Sequence, residues 1–163
     1  MVIWIMGLSG SGKTTFAKLL IKKLTKIDKI IHIDGDVVRK IYNDNLGHSI
    51  KDREINAERI SKIVKFISDQ KVNVVVSVLS NYPMWLKWNK KNIKNYFQIY
   101  IKSNLQDLKK RKPNLYKKNK NVVGKDIKFN EPKNSNYEVN NFYSKTYLKK
   151  DLEKVSKIIR KYI

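Results

Sequence analysis

Apolar positions along this chain alternate between two spacings. Val2–Met6 is an unbroken apolar run, the pattern of a strand buried on both faces of a parallel sheet. A glycine-rich segment follows, and from about Lys13 to Leu24 the apolar residues fall at helical spacing. Ile30–Ile33 predicts a second short strand, ended by Asp34-Gly35-Asp36. Asp52 stands before a long helical segment reaching about Gln70, in which Ile55, Ile60, Ile63, Val64 and Ile67 share one face. Val72–Leu79, rich in β-branched residues, predicts a third strand, and Phe97–Ile101 a fourth. Short helices are predicted over Trp85–Lys94 and Leu105–Arg111. From Lys112 to Asn136 the periodicity stops, in a stretch holding Pro113, Pro132 and many Lys and Asn. It is too long for a plain connector and reads as a mobile functional loop or lid. Tyr137–Val139 predicts a short last strand and Tyr147–Ile163 a closing helix. Strand–helix alternation with no repeat predicts a single α/β domain over residues 1–163, built on a parallel sheet.

Composition narrows the chemistry. A length of 163 residues suits one domain, and 41% hydrophobic residues are enough for a real core. The absence of cysteine excludes a disulfide framework, thiolate metal sites and thiol catalysis. Val2–Met6 is too short to span a bilayer and runs into a glycine loop, unlike a signal peptide, so a cytoplasmic protein without a membrane partner is expected.

The chain carries 36 basic and 14 acidic residues, a net charge of +22. Such a balance points to a polyanion partner. The kind of cation changes that picture, because 31 of the 36 are Lys and only five are Arg. Lys, Asn (17 residues) and Ile (20 residues) all have A/T-rich codons, so base composition supplies much of the excess. Arginine is the favoured reader of base edges and the bidentate clamp for phosphate. No nucleic-acid partner is therefore expected. The competing reading, a basic nucleic-acid-binding module, requires affinity that falls steeply with salt. Arg39, Arg53 and Arg59 fall within 21 residues, a cluster that marks geometry lysine does not supply.

Gly7-Leu8-Ser9-Gly10-Ser11-Gly12-Lys13-Thr14 matches G-x-x-x-x-G-K-[ST] at every fixed position, between a predicted strand and a predicted helix. Backbone N–H groups of Gly7, Ser9, Gly10, Ser11, Gly12, Thr14 and Thr15 can wrap a phosphate, aided by the helix N-terminus. Lys13 can neutralise the β- and γ-phosphates and Thr14 can hold Mg²⁺, which makes ATP or GTP the expected ligand. Asp34 and Asp36 follow the second strand, at the sheet edge where ligands of open α/β folds gather. One carboxylate there can serve Mg²⁺ and another can take a proton from an attacking hydroxyl; either aspartate can also cap a helix. Arg39 lies near the face of Asp36 if that segment is helical. Arg39 and Arg53 are candidates for an anionic acceptor. Arg59 divides between that role and surface pairing with Asp52, Glu54 or Glu58. His32, inside an apolar strand, reads as a packed core residue, and His48 falls in a loop. Two histidines exclude a histidine zinc site and a Ser-His-Asp triad.

Taken together these segments resemble the adenylyl-sulfate (APS) kinase family. The resemblance rests on Gly7–Thr15, Ile33-Asp34-Gly35-Asp36-Val37-Val38-Arg39, Leu46-Gly47-His48-Ser49, Asp52-Arg53-Glu54-Ile55-Asn56, Val78-Leu79-Ser80 and Leu115-Tyr116-Lys117-Lys118, in order and at family spacing. It implies a P-loop NTPase-type three-layer fold with a parallel five-stranded sheet and a mobile lid at about 112–136. It implies an ATP- and Mg²⁺-dependent kinase whose small-molecule acceptor is phosphorylated on a ribose 3′-hydroxyl. Asp36 would meet that hydroxyl, with Lys13 on the transferred phosphoryl and Thr14 and Asp34 on the metal. Arg39, Arg53 and Asn56 would hold the acceptor, Ser80 would touch it through the backbone, and Lys117 and Lys118 would approach phosphates. The family often forms homodimers.

The departures bear on the acceptor. Where the family has L-G-F this chain has Leu46-Gly47-His48, and where it has F-T-G-x-D this chain has Val122-Val123-Gly124-Lys125-Asp126. Those two phenylalanines sandwich the adenine of APS, and each stacking contact is worth roughly 1–3 kcal/mol. Asn81 replaces the proline of I-S-P. A subgroup from surface-polysaccharide pathways, with an acceptor built on cytidine, shares Trp88-Asn89 and the pattern running from Val122 to Lys133. A smaller pyrimidine pocket agrees with the loss of the two phenylalanines.

Overall fold

In the computed structural model, which describes residues 1–24, 29–79, 82–118, 120–140 and 145–162, every residue of strand β1 (Val2–Met6) is buried. Such a strand belongs in the middle of a sheet, and β1 lies between β3 (Asn73–Val78) and β4 (Tyr96–Lys102). The edges are β2 (Ile30–Asp34) and β5 (Tyr137–Asn140), giving the order β2-β3-β1-β4-β5 with every pairing parallel. Strand pleating sends alternate residues to opposite faces, so β1 feeds two cores. Ile3 and Ile5 pack with Phe16, Leu20 and Leu24 of α1 (Lys13–Leu24) and with Val155 of α7 (Lys145–Ile159). Val2, Trp4 and Met6 pack with Ile60 and Val64 of α3 (Ile50–Asp69) and with Leu86 of α4 (Pro83–Asn92). Helices on both faces of a five-stranded parallel sheet make the expected three layers.

Boundaries shift where capping chemistry decides them. The long helix starts at Ile50, before Asp52, because Ser49 caps it and Asp52 closes a capping box with Ser49. Pro83 stands at the first helical position of α4, which therefore begins ahead of Trp85. A helix not assigned from periodicity, α2 (Gly35–Ile41), follows β2 directly. Its apolar residues do not form one stripe: Val37 and Ile41 are exposed while Val38 and Arg39 are buried.

After α5 (Leu105–Arg111), the aperiodic stretch contains a short helix, α6 (Pro113–Lys118), and a turn closed by a bridge between Val123 and Ile127. Its apolar residues Tyr116, Val122 and Val123 pack with Leu8 and Leu108 in a separate small core above the sheet. Gly124 makes that contact close: its φ is +91°, and a Cβ there would sit 3.0 Å from Leu8 Cδ2 and 3.3 Å from Leu105 Cδ1. The closing helix ends at Ile159, and Ile163 lies outside the described residues. No helix among the described residues is long and apolar enough to cross a membrane.

Candidate active site

Three strand ends build the site. β1 runs into the glycine loop, β2 into Asp34 and β3 into Val78 and Leu79, so the groups they carry converge at one edge of the sheet. Gly7 passes so near β4 that a Cβ would lie 2.6 Å from the Ile101 carbonyl oxygen, and Gly10 and Gly12 take φ of +83° and +92°. The loop and the strand ends line a cleft of about 920 Å³ containing Ser9, Gly10, Gly12, Lys13, Thr14, Thr15, Asp34 and Asp36. Ser11 is fully buried beneath the loop.

Lys13 donates from Nζ to the Leu8 carbonyl at 2.8 Å. Burial lowers its pKa to about 8, against the pull of Asp36 and then Asp34. An arriving phosphate restores the charged form, so nucleotide binding near pH 8 is expected to take up about half a proton. ADP affinity accordingly falls as pH rises past 8. Titration calorimetry in two buffers of different ionisation enthalpy measures the uptake directly; equal heats at pH 8 would refute it.

Asp34 is the most heavily bonded carboxylate of the cleft. Its Oδ1 accepts from the Asp36 amide at 3.0 Å, capping α2, and its Oδ2 accepts from Ser77 Oγ at 2.7 Å and Thr14 Oγ1 at 2.9 Å. Partial burial works against ionisation, but these bonds, from Ser77, the Asp36 amide and Thr14, outweigh it and hold the carboxyl below its usual range. The capping role and the ligand-facing role are therefore compatible in one residue. Thr14 and Asp34 present two hard oxygens side by side, a donor set suited to magnesium carried on a nucleotide, which uses few protein ligands. No cluster of three or more His, Cys, Asp or Glu able to cage an ion occurs among the described residues.

Asp36, in the first turn of α2, lines both this cleft and an adjoining cavity of about 60 Å³. The cavity is walled by Arg39, Arg53, Asn56, Trp4 and Tyr82. Arg39 is 9% exposed and donates from Nη1 to the carbonyls of Leu46 (3.2 Å) and Gly47 (2.8 Å). Arg53 donates from Nε to the His48 carbonyl and from Nη2 to the Asn121 carbonyl, each at 3.0 Å. It thereby joins the loop before α3 to the segment after α6. Asn56 is buried, and its Oδ1 has no partner among the described residues. Arg59 stands apart: its Nη1 bonds Asn45 Oδ1 at 2.8 Å and its guanidinium lies 4.3 Å from the Tyr42 ring centroid, so it braces the 42–45 turn rather than pairing with an acid.

His48 and Val122 both line the cleft. Partial burial, and then the Arg53 and Arg39 charges, keep the His48 pKa below its ordinary value, so the imidazole is neutral at pH 7. Val122 is 5% exposed and belongs to the small core above the glycine loop. Lys117 is exposed on α6 and is not among the residues lining the cleft, where Lys112 and Lys120 lie instead. Ser80 lies outside the described residues.

Three further residues support the site. Tyr116 donates its hydroxyl to the Ser9 carbonyl at 2.9 Å, fastening α6 to the glycine loop. Ser77 is the single hydroxyl within the apolar run of β3, a departure that could have flagged it. His32 is not a packed core residue: β2 is an edge strand, the ring is half-buried, and its Nε2 lies 3.0 Å from Ser77 Oγ.

The family model for adenylylsulphate kinase matches residues 1–140. A curated relative from Campylobacter jejuni, a cytidine diphosphoramidate kinase, is 40% identical over 141 residues, covering 80% of this chain and 81% of its own. A probable adenylyl-sulfate kinase of Archaeoglobus fulgidus is 35% identical over 140 residues, covering 82% and 90%. Among solved structures, the Mycobacterium tuberculosis APS kinase CysC in complex with AMPPNP and APS superposes with a TM-score of 0.85 at 28% identity, covering 98% of this chain and 96% of its own. A match across residues 1–140, on a fold that carries the glycine loop and the two aspartates at one sheet edge, shows that this chain belongs to the adenylylsulphate kinase family and is a kinase.

Proposed function

We propose that this kinase transfers the γ-phosphoryl group of ATP to the ribose 3′-hydroxyl of cytidine 5′-diphosphoramidate, in the phosphoramidate modification of a capsular polysaccharide. The observation that carries the reading is the place of Asp36, which lines both the cleft of the glycine loop and the cavity of Arg39, Arg53 and Asn56. A hydroxyl next to Asp36 thus lies between the phosphoryl donor and a cavity walled by two guanidinium groups. Asp36 accepts the proton of the 3′-hydroxyl as its oxygen bonds to the γ-phosphorus, and the bond to the β-phosphate oxygen of ADP breaks. Lys13 and the loop amides stabilise the negative charge on the moving phosphoryl oxygens. Thr14 and Asp34 would hold a magnesium ion, which when bound would supply further charge neutralisation on the phosphates. Arg39 and Arg53 bind the diphosphoramidate tail, and Asn56 orients the nucleotide. The segment at about 112–136 acts as the lid, with Tyr116 fastening it to the loop and Arg53 tying its Asn121 carbonyl to the acceptor side. Closure excludes water that would otherwise take the phosphoryl group.

The choice of cytidine rests on two supports. One is the 40% identity with the Campylobacter jejuni kinase. The other is the pair His48 and Val122, which line the cleft and stand where the family resemblance implies the two phenylalanines of an adenine sandwich. Valine in place of one phenylalanine gives up stacking worth roughly 1–3 kcal/mol, and the smaller imidazole covers less of a purine than a phenyl ring. The kcat/KM for cytidine diphosphoramidate is expected to exceed that for APS by at least about tenfold, which corresponds to about 1.4 kcal/mol. ATP consumption and product mass, followed for both acceptors side by side, test this. A preference for APS would assign the protein to sulfate activation, the reading that the Archaeoglobus fulgidus relative favours.

A further inference from the structure

Behind Asp34 a hydrogen-bonded chain runs away from the cleft. Asp34 pairs with Ser77 across β2 and β3, and His32 lies two residues earlier on β2. Strand pleating therefore places all three side chains on one face of the sheet, the face that α1 covers. Their distances are short: His32 Nε2 to Ser77 Oγ is 3.0 Å and Ser77 Oγ to Asp34 Oδ2 is 2.7 Å. The direction of the chain follows from proton counting. A serine hydroxyl has one proton, and Ser77 donates it to the carboxylate. His32 Nε2 must then be the donor to a Ser77 lone pair, which fixes the imidazole tautomer. Asp34 Oδ2 also accepts from Thr14 at 2.9 Å, so the chain ends on the hydroxyl of the glycine loop.

We propose that His32 and Ser77 are positioning residues for the nucleotide–metal side of the site: through directed hydrogen bonds they hold Asp34 in the one orientation that serves Thr14 and a nucleotide-bound divalent ion. The inference rests on the reading of Asp34 as a carboxylate serving that ion. Without Ser77, Oδ2 keeps Thr14 as its one side-chain donor, and the carboxylate is free to turn about its side-chain torsions. Without His32, the Ser77 hydroxyl loses the donor that orients it, and its proton is no longer directed at Asp34. Neither residue lies in the glycine-loop motif or the Asp34-Gly35-Asp36 segment.

The test uses Mn²⁺ as the probe ion and ADP as the nucleotide. Paramagnetic resonance counts free Mn²⁺ during titration of the ADP-loaded protein, with no turnover required. Ser77→Ala and His32→Leu are each expected to weaken Mn²⁺ binding by about tenfold, the usual scale for partners of metal-facing groups. The double variant should match Ser77→Ala alone, because His32 acts through Ser77. His32→Gln, which returns an N–H donor, should recover most of the affinity. In turnover assays the same variants should raise the Mg²⁺ needed for half-maximal rate while leaving kcat at saturating Mg²⁺ nearly intact. Asp34→Asn is the control. Unchanged Mn²⁺ affinity in Ser77→Ala, alongside a loss in Asp34→Asn, would overturn the positioning role and leave the reading of Asp34 standing. Unchanged affinity in Asp34→Asn would overturn that reading and the inference with it.

Discussion

Asp36→Asn is expected to lower kcat by about 10²–10⁴-fold, the range for loss of a general base positioned at a reacting hydroxyl. The carboxylate is the only atom group changed. The contribution of Asp36 to the fold comes from its backbone, since its amide bonds Asp34 Oδ1 at 3.0 Å and helps start α2. The side chain itself is exposed toward the cleft, so the variant should fold with wild-type stability. KM for both nucleotides should change little below the pH at which Lys13 loses its proton, because the glycine loop and Arg39, Arg53 and Asn56 keep their places. One side effect follows from charge. Asp36 is the stronger favourable influence on the Lys13 ammonium, ahead of Asp34, so its neutralisation lets burial push the Lys13 pKa lower still. The pH at which ADP binding takes up a proton should then move down. Single-turnover quench measurements give the rate, and turnover within tenfold of wild type would reduce Asp36 to an orienting group.

Most of the frame that holds Asp36 is legible in the chain because it depends on local patterns. The unbroken run Val2–Met6 can satisfy its apolar side chains on both faces only in a central parallel strand, and β1 is that strand. The glycine loop is legible because conformation and close approach dictate residue type at Gly7, Gly10 and Gly12. Asp34 and Asp36 are legible because they end a strand on the loop's side of the sheet. The scarcity of arginine marks Arg39 and Arg53, and the family resemblance then adds Asn56, which periodicity alone leaves as part of an ordinary helix start.

What the pattern hides is set by contacts between distant segments. His32 sits among Ile30, Ile31 and Ile33, and a run of that kind reads as interior. Its edge position becomes visible only when the strand order is known. Arg53 looks like a helix-surface residue, yet it reaches across 68 positions of sequence to the Asn121 carbonyl. The loop segment at 112–136 reads as unstructured because its apolar residues have no regular period. Tyr116, Val122 and Val123 nonetheless close a core with Leu8 and Leu108, and no local rule foretells that cluster. Arg59 shows the reverse case, a cation that the local pattern pairs with acids and the fold sets against Tyr42 and Asn45.

Lys13→Met is the second large effect, an expected loss of about 10²–10³-fold in kcat, the scale found when one preorganised donor to a developing oxyanion is removed. Methionine fills nearly the same space along an unbranched chain, so the change removes charge and donor while keeping the packing. The ground state tells the interactions apart. The ammonium is bonded to the Leu8 carbonyl at 2.8 Å and buried, so the protein itself holds it in place. A group held this way needs little reorganisation as charge builds on the γ-phosphoryl oxygens, which places its larger effect on kcat than on ADP affinity. The proton uptake near pH 8 provides a second readout. If it belongs to Lys13, with its pKa lowered to about 8, it must vanish in Lys13→Met while persisting, shifted downward, in Asp36→Asn. Uptake retained in Lys13→Met would assign the titration to another group, and a kcat within tenfold of wild type would remove Lys13 from the transfer step.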